Sequence, residues 1–171
     1  MKAKSPELYK PNFLGLFGAT TGLAYPEFSS ACYITAQEIM EMDNIIEFMK
    51  SIPDYIGSNG RSEEEIAAAE KSLGTMFAPD YRLYLKEIGL ACFDGHELTG
   101  ITNDTRLSVV AVTEQERAAN SNIPSSWYVV EQTGFDGIEI WQAPTGEIHQ
   151  LTARTSSQRT FSSLVEYLLK A

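Results

Sequence analysis

The chain holds few of the residues from which catalytic and metal sites are usually built. Its 171 residues include two cysteines and two histidines. Cys32 and Cys92 lie far apart with no CxxC spacing, which excludes a paired-cysteine zinc site and a thioredoxin-like redox pair. Two such thiols read as small buried apolar residues in a reducing compartment. A chain this long buries roughly 70% of its unfolded surface, so it needs no disulfide or metal staple. His96 and His149 fall on expected strands and read as half-exposed strand residues, with no serine or cysteine motif beside them. No GxSxG elbow, HExxH, P-loop or GxGxxG is present. Neither catalytic residues, cofactor nor metal are expected.

Positive charge is also scarce. Lys and Arg number 13 against 23 Asp and Glu, for a net charge of −10. That balance counts against nucleic acid or an anionic membrane as partner. It favours solubility and steering toward a basic partner. No apolar run approaches the ~18 residues that span a bilayer. Lys2, Lys4 and Lys10 precede the apolar stretch from Phe13 to Ala19, but Gly15 and Gly18 break it, so no signal-peptide core is expected. These absences point to a cytoplasmic protein. What remains is an ordinary globular composition, 43% hydrophobic and 21% charged.

The best-punctuated stretch runs from Met76 to Gly89. Pro79 suits the first turn of a helix. Tyr81, Tyr84, Leu85 and Ile88 recur at i, i+3, i+4 and i+7, and Gly89 suits the left-handed stop. Upstream, Ile45, Ile46, Phe48, Met49 and Ile52 form a helical stripe capped by Asp43 or Asn44 and stopped by Pro53. Residues 54–60 read as a loop. Ser62 to Glu65 is a capping box, with Ile66, Ala69 and Leu73 inward and Gly74 as terminator.

After Gly89 the period shifts toward two. Strands are expected over residues 97–101 and 107–112 with a turn at Asn103-Asp104, then a short helix over 113–119. Further strands are expected over 127–131, 138–142 and 147–151. Residues 154–159 read as a polar loop. Thr160 opens a final helix with Phe161, Leu164, Val165 and Leu168 on one face. This is an α+β layout: N-terminal helices packed on an antiparallel strand meander, closed by a C-terminal helix.

Residues 1–41 are less regular. Residues 13–18 alternate as a strand would, and Thr35-Ala36-Gln37-Glu38 is a capping box. Val110-Ala111-Val112-Thr113-Glu114-Gln115-Glu116 repeats the order of an apolar run followed by Thr-x-Gln-Glu. This weak similarity suggests that residues 1–41 are an N-terminal extension formed by a truncated copy of the domain that follows. Convergence is the alternative, since a strand before a capping box is common. Met42 could start a self-contained domain over residues 42–171.

The acidic capped helix from Ser62 to Gly74, followed by Phe77-Ala78-Pro79-Asp80-Tyr81-Arg82 ending at Gly89, resembles the SUKH superfamily. The late segments from Trp127, Phe135, Gly146 and Phe161 correspond in order to its strands and closing helix. The resemblance covers residue 42 to the C-terminus and implies helices beside an antiparallel sheet. It further implies a bacterial immunity protein, an antitoxin that binds a toxin, commonly a nuclease, and catalyses nothing. Relatives that serve as regulatory or scaffold modules are the alternative. The acids Asp94, Glu97, Asp104, Glu131, Asp136, Glu139 and Glu147 fall on the strand half and are the expected partner-binding residues. Trp141 among them is either an exposed anchor or a core residue, and Trp127 reads as core. A basic toxin is the expected partner, with neither nucleic acid nor membrane bound directly.

Overall fold

The computed structural model describes residues 46–135, 137–152 and 155–170, the stretch 155–158 by its backbone alone. The chain divides into two units, Met1–Tyr33 and Ile34–Ala171, and every described residue belongs to the second. The expected strand at 13–18, the capping box at 35–38, the upstream copy of the repeat, the Met42 start and the Asp43/Asn44 cap lie outside the described residues.

Residues 46–51 are helical (α1), with Ile46 and Met49 buried. α2 follows at Glu63–Leu73, and its start is the capping box expected from sequence. Ser62 Oγ accepts the Glu65 N–H at 3.2 Å, and Glu65 accepts the Ser62 N–H at 2.9 Å. Gly74 ends the helix at φ 66°, where a side chain would be strained. The inward stripe Ile66, Ala69 and Leu73 also contains Glu70, an acid buried among apolar neighbours. Its carboxylate accepts the Phe77 N–H at 2.8 Å and meets Arg82 at 2.5 Å, and so fixes the passage into α3.

α3, Pro79–Glu87, buries Tyr81, Tyr84 and Leu85, with Ile88 buried at its end. Its rings form an aromatic knot. Phe77 meets Tyr81 edge-on at 5.2 Å and Tyr128 at 4.7 Å, and Tyr81 lies 5.2 Å from Tyr128. The hydroxyls are placed as well as the rings. Tyr81 donates to the Thr99 carbonyl at 2.9 Å, and Tyr128 donates to Gln142 at 2.9 Å while accepting the Ala78 N–H at 2.8 Å.

Among the described residues the sheet has seven strands in sequence order, all antiparallel: β1 (Ile56–Gly57), β2 (Ala91–Phe93), β3 (His96–Leu98), β4 (Tyr128–Gln132), β5 (Ile138–Gln142), β6 (Ile148–Thr152) and β7 (Thr155–Phe161). α5, Leu164–Lys170, closes the chain. The fold is therefore α+β, as the pattern of the sequence implies. The main core gathers Ala91, Phe93, Leu98, Tyr128, Val130, Ile140 and Ile148 from the strands against α1, α2, α3 and α5.

Four local expectations are corrected. Residues 107–112 are not a strand. Ser108 caps a single helix, α4 (Val109–Ala119), by accepting the Ala111 N–H. Val109, Val112 and Thr113 are its buried face, so three β-branched residues at spacing 0, 3 and 4 follow the helical period despite their strand propensity. Residues 155–159 belong to β7 rather than to a loop, and Phe161 ends that strand instead of lying on the closing helix. Residues 54–60 contain β1. A further strand not expected from the sequence, β2, precedes β3 through Asp94-Gly95, whose φ values of 45° and 84° make the tight turn such a dipeptide favours.

α4 covers part of the sheet face opposite the main core. Val112 packs there with Val129 and Trp141, joined by Ile123, Trp127 and Leu151. Thr113 Oγ1 accepts the Val129 N–H at 3.0 Å, beside the bulge between Val129 and Glu131. Arg117 donates to the Trp127 carbonyl at 2.8 Å and to the Leu73 carbonyl at 3.0 Å, tying α4 to β4 and α2.

Candidate functional site

Strand alternation decides what lies on each face at the β1–β3 side. Cys92 faces Ile56 and Glu97 across its two neighbours, while Phe93 pairs with His96. Ile56, Cys92 and Glu97 thus form one outward row, and Phe93 and Leu98 turn into the core. The apolar cover that α4 gives the sheet contacts Val129, Trp141 and Leu151 of β4, β5 and β6, so the outward row of β1–β3 is left open.

A groove of about 570 Å³ opens at this end of the sheet. Its walls include Asp54, Cys92, Asp94, Glu97 and Arg106, with His96 among its lining residues and Gln132 to Gly134 along the side. The antiparallel pairing of Leu98 with Glu131 brings the tips of the β2–β3 and β4–β5 hairpins to the same end. Phe135 stands at the second tip with 74% of its surface exposed, and Ile56 on β1 is 70% exposed. Arg106 forms an ion pair with Glu97, between two well-exposed side chains, so the pair contributes little to stability. Asp54 and Asp94 enter no ion pair among the described residues.

Beneath the groove lies Glu131, whose burial with His96 and Tyr167 the sequence did not announce. Glu131 is 2% exposed. Its two oxygens face His96 Nδ1 at 3.1 and 3.0 Å, and one accepts the Tyr167 hydroxyl at 2.7 Å. The carboxylate holds His96 above its ordinary value of 6.5, against the opposing pull of burial. Burial, and then the same carboxylate, pushes the Tyr167 hydroxyl up. Cys92 sits on the opposite face from His96, and burial followed by the Glu97 charge pushes its thiol up, away from a reactive thiolate. A thiolate–imidazole pair cannot form in that arrangement.

The expected partner-binding residues separate into groups. Asp94 and Glu97 line the groove. Asp104 is exposed on the neighbouring loop, where it accepts the Arg106 N–H at 2.9 Å and so positions the arginine that meets Glu97. Glu131 and Trp141 are corrections. Glu131 is buried under the groove as a partner of His96 and Tyr167, and Trp141, at 0% exposed, is core beneath α4 and no surface anchor. Trp127 is half-buried, stacked on His149 with ring centres 3.8 Å apart. Glu139 is half-buried beside α4 and accepts the Trp141 indole Nε1–H at 2.9 Å. Burial, with the Glu116 carboxyl against it, pushes Glu139 up to about 7. Glu147 is exposed in the β5–β6 turn, at the far end of β5 from the groove. Asp136 lies outside the described residues.

Asp54, Arg106, Ile56 and Phe135 belong to the groove region and were not singled out from sequence. In the sequence that end of the sheet is marked by two hairpin dipeptides, Asp94-Gly95 and Asp136-Gly137. Among the described residues no group of three or more His, Cys, Asp or Glu could hold a metal ion, and no helix is long and apolar enough to cross a membrane.

No curated protein matches the chain. Residues 42–171, however, match the family described as SMI1-KNR4 cell-wall, SUKH_5. That span includes every described element, and its motif residues have structural explanations: Pro79 opens α3, Tyr81 reaches Thr99, and Arg82 joins α3 to α2 through Glu70. With the match extending over most of its length, the chain belongs to the SUKH superfamily of SMI1-KNR4-like proteins.

Proposed function

We propose that this chain is an immunity protein: a cytoplasmic antitoxin that occludes a basic toxin domain, a nuclease in the simplest case, and transforms no substrate. The SUKH family is consistent with an immunity-type role. The observation that carries the reading is the open groove at the hairpin end, where Asp54, Asp94 and Glu97 line the rim and Phe135 projects beside it. A face that holds nucleic acid phosphates is basic, so an acidic groove suits its occlusion. An exposed aromatic beside complementary charge is the kind of anchor that concentrates binding energy. The opposite-face arrangement of Cys92 and His96 supports binding over nucleophilic chemistry.

Co-expression with the product of the adjacent gene, followed by affinity purification at low and high salt, tests the proposal. The expected result is a complex that forms rapidly, weakens with salt and suppresses the toxicity of its partner. No association with any adjacent-locus protein, alongside capture of several non-toxic partners, would assign the chain instead to the regulatory and scaffold modules of the family.

A further inference from the structure

We propose that His96, Glu131 and Tyr167 form a pH-sensitive latch joining the groove to the closing helix, which holds α5 against the sheet while His96 is protonated and loosens when the proton is lost. The geometry carries the inference. Glu131 is buried on β4 between a groove-lining imidazole on β3 and a phenol on α5. The rings are packed as one unit: His96 meets Tyr167 edge-on at 5.8 Å, Phe93 lies 5.4 Å from His96, and Phe161 lies 5.3 Å from Tyr167. A buried carboxylate needs compensation, and here it comes from one imidazolium and one hydroxyl.

Nδ1 is committed to Glu131, so the proton exchanged on titration is the one on Nε2, the ring nitrogen left for the groove. Its loss keeps the hydrogen bond and removes the countercharge. Among the described residues the other ionisable groups near the ring are few, and Asp54 lines the same groove. Asp94 in the preceding turn adds a weaker pull in the same direction as Glu131. Cys92 and Glu97 lie on the opposite face of β2 and β3, with Arg106 on Glu97, and α5 contributes Tyr167 alone. A histidine raised in the folded state gives stability that is fully present below its ordinary value of 6.5 and is lost as pH rises through the folded value. Opening of α5 hydrates Glu131 and weakens its hold on the proton, so proton loss favours opening. The latch does not depend on what the groove binds.

The test combines an NMR titration of His96 with hydrogen exchange of the α5 amides at pH 6 and pH 8, corrected for intrinsic exchange rates. The expected midpoint lies above the ordinary histidine value, with loss of α5 protection at the higher pH. Tyr167→Phe should keep the raised midpoint but remove the pH dependence of α5, which mere loss of packing would not do. Glu131→Gln should lower the midpoint. A wild-type midpoint at or below the ordinary value, or α5 protection equal at both pH values, overturns the latch, and both are read on the wild-type chain whatever the variants do.

Discussion

Asp80, on the first turn of α3, caps a helix that begins 84 residues later: its Oδ2 accepts the Leu164 N–H at 2.9 Å. The other oxygen accepts the N–H of Tyr81 at 2.8 Å and the side-chain amide of Gln142 at 2.9 Å. One carboxylate therefore joins α3, α5 and β5, and all three partners are buried. Asp80→Ala leaves the Leu164 and Tyr81 N–H groups without that acceptor in the core, while the Gln142 amide keeps the Gly146 carbonyl at 3.0 Å, and a lost cap with buried unsatisfied donors costs about 2–3 kcal/mol. Urea unfolding should show a lower midpoint at an unchanged slope. A loss below about 0.5 kcal/mol, the range of a neutral surface change, would mean that Leu164 finds another acceptor.

Gly100 supplies a second constraint of long range. It bridges in parallel to Ser108, just before α4, and a Cβ placed on it would lie 1.8 Å from the Gly89 carbonyl oxygen. That oxygen is backbone, so the contact cannot be relieved by a rotamer change. Gly100→Ala is expected to destabilise the fold by about 3 kcal/mol, the upper range for forced overpacking. A melting curve indistinguishable from wild type would show that the two segments separate easily.

Such relationships mark the limit of what the chain discloses by itself. Local chemistry was legible: the Ser62–Glu65 box, the Pro79 start, the Gly74 stop and the stripes on α2 and α3 each depend on neighbours in sequence. Val109 to Val112 was misread because β-branched residues favour strands, and only the packing of Val109 in the main core and of Val112 on Val129 and Trp141 reveals the helical face. β7 was missed because Thr155 to Thr160 has no apolar alternation, and its strand state comes from pairing with β6. The groove suffered the same way. Asp94 and Glu97 were visible as strand-side acids, but their union with Asp54 and Arg106 depends on pairing between β1 and β2 and on the loop before α4. Glu131 and Glu139 look alike in the sequence. Their burial is decided by His96 and Tyr167 in one case and by α4 in the other.

Glu139 gives a pH prediction of definite sign. Its folded value is about 7 against an ordinary 4.5, because burial and the Glu116 carboxyl disfavour its charge. Between those values the folded chain holds a proton that the unfolded chain has released. Its contribution is therefore fully present below 4.5 and is lost as pH rises through about 7. Gln132 Nε2, bonded to Glu116 at 3.1 Å, and the Trp141 indole Nε1–H are the neutral groups beside the pair. Glu139→Gln should flatten this part of the profile, so that the variant gains on wild type between pH 5 and pH 8 in urea midpoint. A difference between the two that stays constant with pH would exclude the shared proton.

Phe135 and Trp141 offer the sharpest contrast between binding and folding. Trp141 is fully buried beneath α4, and Trp141→Ala should cost about 3–5 kcal/mol of stability, as for other large-to-small core changes. Phe135 is 74% exposed, so Phe135→Ala should alter stability by no more than about 0.5 kcal/mol. If the groove end is where the toxin docks, the same change should weaken the complex about tenfold or more, equivalent to about 1.4 kcal/mol. Asp94→Lys should act differently, chiefly slowing association and reducing its salt dependence, since rim charges steer encounter more than they hold the bound state. Surface plasmon resonance of the three variants against the captured toxin separates these effects. Full-strength binding by both Phe135→Ala and Asp94→Lys would move the interface away from the hairpin end, to the acids of α2 or the β5–β6 turn.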